Sequence, residues 1–254
     1  MLLSQYIFAL ARSQPDKLRR LLLSGVRAGL GPGRDGEVER DFTPRYNPWD
    51  QRLCLLPDGD LFHAMRAGRA TVVTGEVERF TPTGIALRSG AHLEADLVVT
   101  ATGLEMKLLG GVELVVDGCL VDPAKAYSYK GTMFSGVPNL VGVFGYTNTS
   151  WTLKADLASE WVCRLLGHMR RHGHVRCVPQ IDPGQMVETP WIDLSSGYVK
   201  RAVARLPKQG ARSPWRLNQS YLRDIVALRF GRIDDGVLRF DAVGQAASTE
   251  KLAA

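Results

Sequence analysis

Two short runs of this chain carry residues whose types and spacing suit chemistry. In the first, Leu97-Val98-Val99-Thr100-Ala101 leads into Thr102-Gly103-Leu104. An uncharged, β-rich pentapeptide suits a strand buried on both faces. Small residues and a glycine at its end let the backbone pass close to something bulky. In the second, Tyr146-Thr147-Asn148-Thr149-Ser150 precedes a stretch from Trp151 to His172. There Leu153, Leu157, Trp161, Leu165 and Met169 recur every four residues, which predicts a helix with polar capping residues at its start. Such an end offers free N–H groups and a partial positive charge, and so suits an anionic or electron-rich ligand group. The plain alternatives are a buried strand with an ordinary turn, and a strand–loop–helix that holds no ligand.

Other candidates are weaker. His168 and His172 have i, i+4 spacing and His174 follows, a pattern that could hold a metal. Arg170 and Arg171 beside them instead favour a solvated basic helix end, where the dipole welcomes cations. No metal is therefore expected. Gly31-Pro32-Gly33-Arg34-Asp35-Gly36 satisfies a G-x-G-x-x-G search. The dinucleotide fingerprint, however, follows a strand and opens a helix. Here the preceding residues look helical, and Glu37 to Asp41 is charged, aperiodic and repulsive to phosphate. Ser195-Ser196-Gly197 lacks the setting of a nucleophile elbow. Cys54, Cys119, Cys163 and Cys177 are scattered without metal-like pairing, as reduced thiols of a cytoplasmic protein would be.

The elements that must position these residues can be read in outline. A chain of 254 residues makes one large domain or two smaller ones. No apolar run reaches the roughly 18 residues of a membrane span. The start lacks the basic residues and cleavage site of a signal peptide and predicts an amphipathic helix to about Leu30. A Gly- and charge-rich break covers Gly29 to Asp41, followed by an ordered loop or short strands from Phe42 to Leu56. Asp58 or Asp60 is placed to cap a short helix over Leu61, Phe62 and Met65 that stops at Gly68. A β-meander is expected from Thr71–Thr74, Val77–Phe80 and Ile85–Arg88, leading into Leu97–Ala101. Asp117-Gly118 is a hairpin turn signal, and 140–144 reads as another buried strand. Leu217, Tyr221, Ile225 and Leu228 support one late helix, and the end from about Val243 predicts disorder. The net charge of +6 gathers in the first helix and between Lys200 and Arg232. Without a nucleic-acid motif, no nucleic-acid partner is expected; peripheral membrane contact through the first helix stays open.

A set of collinear motifs adds to this picture. Arg45-Tyr46-Asn47-Pro48-Trp49-Asp50-Gln51-Arg52-Leu53-Cys54, the Ala-Thr-Gly turn, Gly145 through Asp156, Leu206-Pro207-Lys208-Gln209-Gly210 and Pro214 through Gln219 together resemble class B flavoprotein monooxygenases, the Baeyer–Villiger and flavin-containing monooxygenase group. The resemblance implies an α/β fold, the C-terminal half of a flavoprotein with two Rossmann-like FAD- and NAD(P)-binding domains. By it, 1–95 ends the NADPH domain, 96–178 ends the FAD domain, and 179–254 is an extension. It also implies NADPH reducing FAD, capture of O2 as a C4a-peroxide, and oxygenation of a carbonyl, sulfur or nitrogen of a small organic substrate. Arg52 then takes the place of the family's catalytic arginine, a fixed cation with a planar donor fork. Gln51, where the family often has lysine, Ala101, Thr102, Gly103, Asn148, Thr149, Trp151 and Thr152 would contact cofactor. Tyr46 and Trp49 would line the substrate pocket. The family's two phosphate-binding glycine loops and its His- and Trp-containing fingerprint are missing, so a truncated chain is expected, with a non-catalytic, partner-binding remnant as the alternative. The oligomeric state is not legible.

Overall fold

The long N-terminal helix is interrupted at Pro15. Helix α1 runs Leu2–Ser13 and α2 runs Pro15–Leu30, with Gln14 between them at φ −141° and ψ 64°. A proline disfavours helical geometry at the residue before it, yet suits the first position of a new helix. The computed structural model describes residues 2–54, 56–182, 184 and 186–243. They are a mixture of helices and short strands, divided into two units, Tyr6–Leu104, and Glu105–Ala254 with Met1–Gln5.

In the first unit, α3 covers Asp35–Asp41, where an aperiodic break was expected. Seven residues with only Val38 buried are too few for a period to show, while Asp35 and Glu37 in the first turn complement the helix dipole. The glycine-rich stretch before it thus lies between two helices, with no strand leading in. Helix α4, Asp60–Arg66, forms as predicted, but left-handed Gly59 is its N-cap and neither Asp58 nor Asp60 caps through its side chain. Leu30, Val38 and Met65 make a small core with Val26, Phe42, Leu61 and Phe62.

The meander is antiparallel, β1 (Val77–Thr81), β2 (Gly84–Leu87) and β3 (His92–Glu94), in that order. Gly84 has φ +148°, and a Cβ there would stand 2.0 Å from the Leu93 carbonyl oxygen. Two strands expected in this unit are absent among the described residues. Thr71–Thr74 joins no ladder; the Thr74 N–H donates instead to Asp41 Oδ1 at 3.3 Å. Leu97–Ala101 is likewise outside every ladder among the described residues, and Leu97 and Val99 are 81% and 79% exposed. A continuous apolar run records what a segment is suited to bury, not whether a neighbouring strand is present.

In the second unit, β4 (Val115–Val116) and β5 (Cys119–Leu120) form the predicted hairpin, with Asp117 at φ 51° and Gly118 at φ 79°, the left-handed pair of a type I′ turn. Strands β6 (Ser128–Tyr129) and β7 (Met133–Phe134) pair antiparallel. The expected strand over 140–144 is not in a ladder; its Gly142 N–H donates to the Thr132 carbonyl at 2.7 Å. Helix α5, Trp151–His172, has the predicted extent: Ser150 accepts from the Thr152 N–H and left-handed Gly173 ends it. Strand β8 (His174–Pro179) pairs with β11 (Leu238–Ala242), and β9 (Glu188–Pro190) with β10 (Lys208–Gly210), all antiparallel. Helix α6 covers Gly197–Ala202. Helix α7, Tyr221–Asp224, continues as a π-helical stretch, Ile225–Phe230. Leu217 lies before that helix and packs instead in a core with Phe134, Trp191, Val199 and Leu206. A second core wraps α5: Trp161, Leu157 and Leu165 meet Tyr129, Met133, Trp215 and Leu228. The predicted disorder beyond 243 falls outside the described residues. Among the described residues, no helix is long and apolar enough to cross a membrane.

Candidate functional site

In the first unit, Tyr46, Trp49, Gln51 and Arg52 line one cavity of about 470 Å³, together with Arg19 and Phe62. The loop that carries them is a tight turn. The Asp50 N–H donates to the Asn47 carbonyl at 3.0 Å, and the Asn47 N–H donates to Asp50 Oδ2 at 3.2 Å. Pro48 takes the second turn position and Trp49 the third, at φ +66°, where a type II turn normally has glycine. A bulky residue held there costs about 1–3 kcal/mol and persists only where its surroundings impose it. Those surroundings are visible: Arg19 donates from Nη2 to the Tyr46 carbonyl at 2.8 Å and to Asn47 Oδ1 at 2.9 Å, and Trp49 packs edge-on against Phe8 at 6.0 Å. The turn presents Arg52 at the surface, with Gln51 and Trp49 half-buried. Ala101, Thr102 and Gly103 lie in an exposed segment outside helices and ladders, Gly103 at φ +113°.

In the second unit, Asn148, Thr149, Trp151 and Thr152 gather at the start of α5. Asn148 is buried, and its Nδ2 donates to the Gln219 carbonyl at 2.8 Å. The Thr147 N–H and hydroxyl both donate to Gln219 Oε1, at 2.9 and 3.1 Å. Of the four N–H groups that a helix start leaves without helical partners, Ser150 takes one. Trp151 is half exposed and stands edge-on to Phe144 at 5.4 Å, which in turn packs on Trp191 at 4.2 Å. These three rings wall an apolar cavity of about 280 Å³ with Met106, Phe134 and Ser128. A Cβ on Gly145 would fall 2.2 Å from Trp151 Cγ, so glycine there lets the indole close the wall. Ser128 Oγ, Asn148 Oδ1 and Trp191 Nε1 are buried without a hydrogen-bond partner among the described residues.

A buried ionic cluster beneath that turn escaped the sequence reading. Lys154 Nζ donates to Asp224 Oδ2 at 2.8 Å and to the Lys130 carbonyl at 3.1 Å. The Tyr146 hydroxyl donates to the same Asp224 oxygen at 2.7 Å, and Asn218 Nδ2 to the other at 3.1 Å. Burial holds the Lys154 ammonium below its ordinary pKa, against the pull of Asp224. Burial, then the Asp224 charge, raises the Tyr146 hydroxyl. The available signal was a charged residue, Lys154, one turn into an apolar helix face.

The three histidines do cluster, with ring centroids 4.3 to 6.0 Å apart and Phe240 packed on two of them. Burial and the neighbouring His172 and His174 lower the His168 pKa. Among the described residues, no group of His, Cys, Asp or Glu is arranged to hold a metal ion. The four cysteines are free, and burial raises the Cys177 thiol.

No protein-family model matches the chain. Curated relatives do. FAD-containing monooxygenase EthA of Mycobacterium tuberculosis is 50% identical over 234 residues, 92% of this chain and 47% of the relative. Probable FAD-binding monooxygenase AlmA of Acinetobacter baylyi is 47% identical over 237 residues, again 92% and 47%. Putative FAD-containing monooxygenase MymA of M. tuberculosis is 44% identical over 240 residues, 94% and 48%. The chain spans about half the length of the curated relatives it matches, in their C-terminal portion.

Proposed function

From the premise that this chain is homologous to the C-terminal portion of FAD-containing monooxygenases, we propose that it is the C-terminal half of an NADPH- and O2-dependent enzyme that oxygenates a small organic substrate. The finer part of this proposal is carried by one observation: Tyr46, Trp49, Gln51 and Arg52, distant in role but adjacent in chain, are gathered by a strained turn onto one cavity wall.

The chain fits FAD in part. The start of α5 offers first-turn N–H groups, a positive dipole end and the unpartnered Asn148 Oδ1, which suit the pyrimidine edge of a flavin. For the pyrophosphate, the glycine-rich stretch from Gly31 to Gly36 does not serve, because it lies between two helices with no strand leading in. When bound, FAD supplies the redox chemistry and the activation of oxygen. The protein groups supply position and charge. Arg52 keeps a full positive charge and two parallel donors, which suit a nicotinamide amide and developing negative charge. Trp49 and Tyr46 lend that cavity aromatic surface, and Trp151 forms part of the apolar wall of the other.

The test is an in-frame fusion of the N-terminal portion of the M. tuberculosis relative ahead of this chain. The expected product is yellow, oxidises NADPH, and transfers oxygen to small ketone or sulfide probes. A folded fusion that holds FAD yet never oxygenates any such probe overturns the proposal.

A further inference from the structure

We infer that Gln219 is a positioning residue that holds the turn of Thr147 and Asn148 in the shape by which the start of α5 faces a flavin. The inference rests on the flavin-facing reading of that helix start and assigns the means of holding it. Gln219 belongs to the motif Pro214 to Gln219, which supplies none of the described residues lining the two cavities. Its contacts lie one step back. The side-chain oxygen accepts from the Thr147 N–H at 2.9 Å and from the Thr147 hydroxyl at 3.1 Å. The Gln219 carbonyl accepts from Asn148 Nδ2 at 2.8 Å. One residue thus takes hydrogen bonds from two consecutive residues of the turn.

Thr147 to Thr149 form a bend that belongs to no helix or ladder. Regular backbone bonding therefore does not fix its shape, and side-chain bonds take over that task. Asn218 works the same way: its Nδ2 donates to Asp224, whose other oxygen receives Tyr146 and Lys154 from either side of the bend. The segment that carries both residues is itself anchored. Trp215 is buried against Tyr127 and Tyr129, with ring centroids 6.4 and 5.7 Å away. The Leu217 N–H donates to Gln209 Oε1 at 2.8 Å, and Gln209 sits in β10, paired with Thr189 of β9. A rigid ladder thus fixes Leu217, and through it Gln219 and the bend. Position matters here because donors displaced by about 1 Å lose much of their effect on a bound group. An amide oxygen suits the role: it accepts twice and adds no negative charge beside an electron-rich ligand edge.

Hydrogen exchange and flavin potential test this without oxygen transfer. In the chain alone, Gln219→Leu should speed exchange of the Thr147 amide by about tenfold or more, with Trp161 and Leu165 in mid-helix unchanged. Gln219→Glu keeps an oxygen that accepts twice and should restore the wild-type rate within about threefold. In the fusion with the N-terminal portion of the M. tuberculosis relative, Gln219→Leu should weaken FAD binding about tenfold, because the helix start no longer faces the flavin squarely. It should also cut the site's preference for reduced over oxidised flavin about tenfold, a fall of about 30 mV for a two-electron couple. Three results overturn the inference. These are unchanged Thr147 exchange in the leucine variant, faster exchange throughout α5 (Gln219 then supports the whole helix), and wild-type flavin affinity and potential in the leucine fusion (the contact is then structural only). A folded wild-type fusion that holds no FAD overturns the flavin-facing reading itself, and this inference with it, even where the exchange results are as expected.

Discussion

Lys154 Nζ lies 2.8 Å from Asp224 Oδ2, and each side chain is only 3% exposed. The pair joins the first turn of α5 to the end of α7, and Tyr146, at the head of the turn leading into α5, donates to the same carboxylate oxygen. A buried pair of this kind contributes little beyond an apolar replacement of both partners, but removing one partner strands the other charge.

Lys154→Met should therefore destabilise the protein by about 3–5 kcal/mol. Asp224 would keep only the Tyr146 and Asn218 donors against a full buried charge. Urea denaturation measures this, and a loss within 1 kcal/mol of zero would mean that Asp224 is served well enough without the ammonium.

Alkali should unfold the protein through its buried tyrosines. Burial, reinforced by Asp235 at Tyr129 and Asp224 at Tyr146, holds both hydroxyls above the ordinary value. The unfolded tyrosines titrate near pH 10. Their contribution to stability is thus complete below about pH 10 and is lost as pH rises toward the folded pKa values. Melting temperature should fall above pH 10, with the tyrosinate absorbance of these two appearing only on unfolding. Tyr129→Phe should flatten that decline; an unchanged slope would remove Tyr129 from the account.

Gly145→Ala should displace the Trp151 indole, because the new methyl would stand 2.2 Å from Cγ. Such overpacking typically costs about 1–3 kcal/mol. The near-UV circular dichroism band of the Phe144–Trp151–Trp191 group should change with it, and an unaltered spectrum would show that the site relaxes elsewhere.

The chain alone should bind FAD no tighter than millimolar. A helix start contributes roughly 0.3–2 kcal/mol toward an anionic group, and millimolar binding already requires about 4 kcal/mol. Micromolar binding by calorimetry would demand a nucleotide site outside the start of α5.

In the fusion described above, Arg52→Ala should retain FAD and lose about 10²–10³ in the rate of oxygen transfer, the usual effect of deleting one preorganised donor. NADPH would still be consumed, releasing peroxide. Arg52→Lys should recover only part of the loss, since a point charge does not reproduce the planar fork. Wild-type product formation by the alanine variant would make Arg52 structural.

What the sequence determined by itself is what depends on residues a few positions apart. The period-four apolar face, Ser150 and Gly173 define α5 from end to end, and Asp117-Gly118 defines the β4–β5 turn. The turn of Tyr46 to Arg52 was visible as a motif, though not the left-handed Trp49 at its tip or Arg19, 27 residues upstream, that holds it. Tertiary structure decided the rest. Lys154 finds Asp224 seventy residues on, and β8 finds β11 sixty-five residues on, at Arg176 and Asp241. No local pattern specifies such a partner, because ladders and buried charges are satisfied by whatever the chain brings near. Leu97–Ala101 shows the same rule from the other side: its composition suits a buried strand, yet among the described residues it joins no ladder and Leu97 and Val99 are exposed.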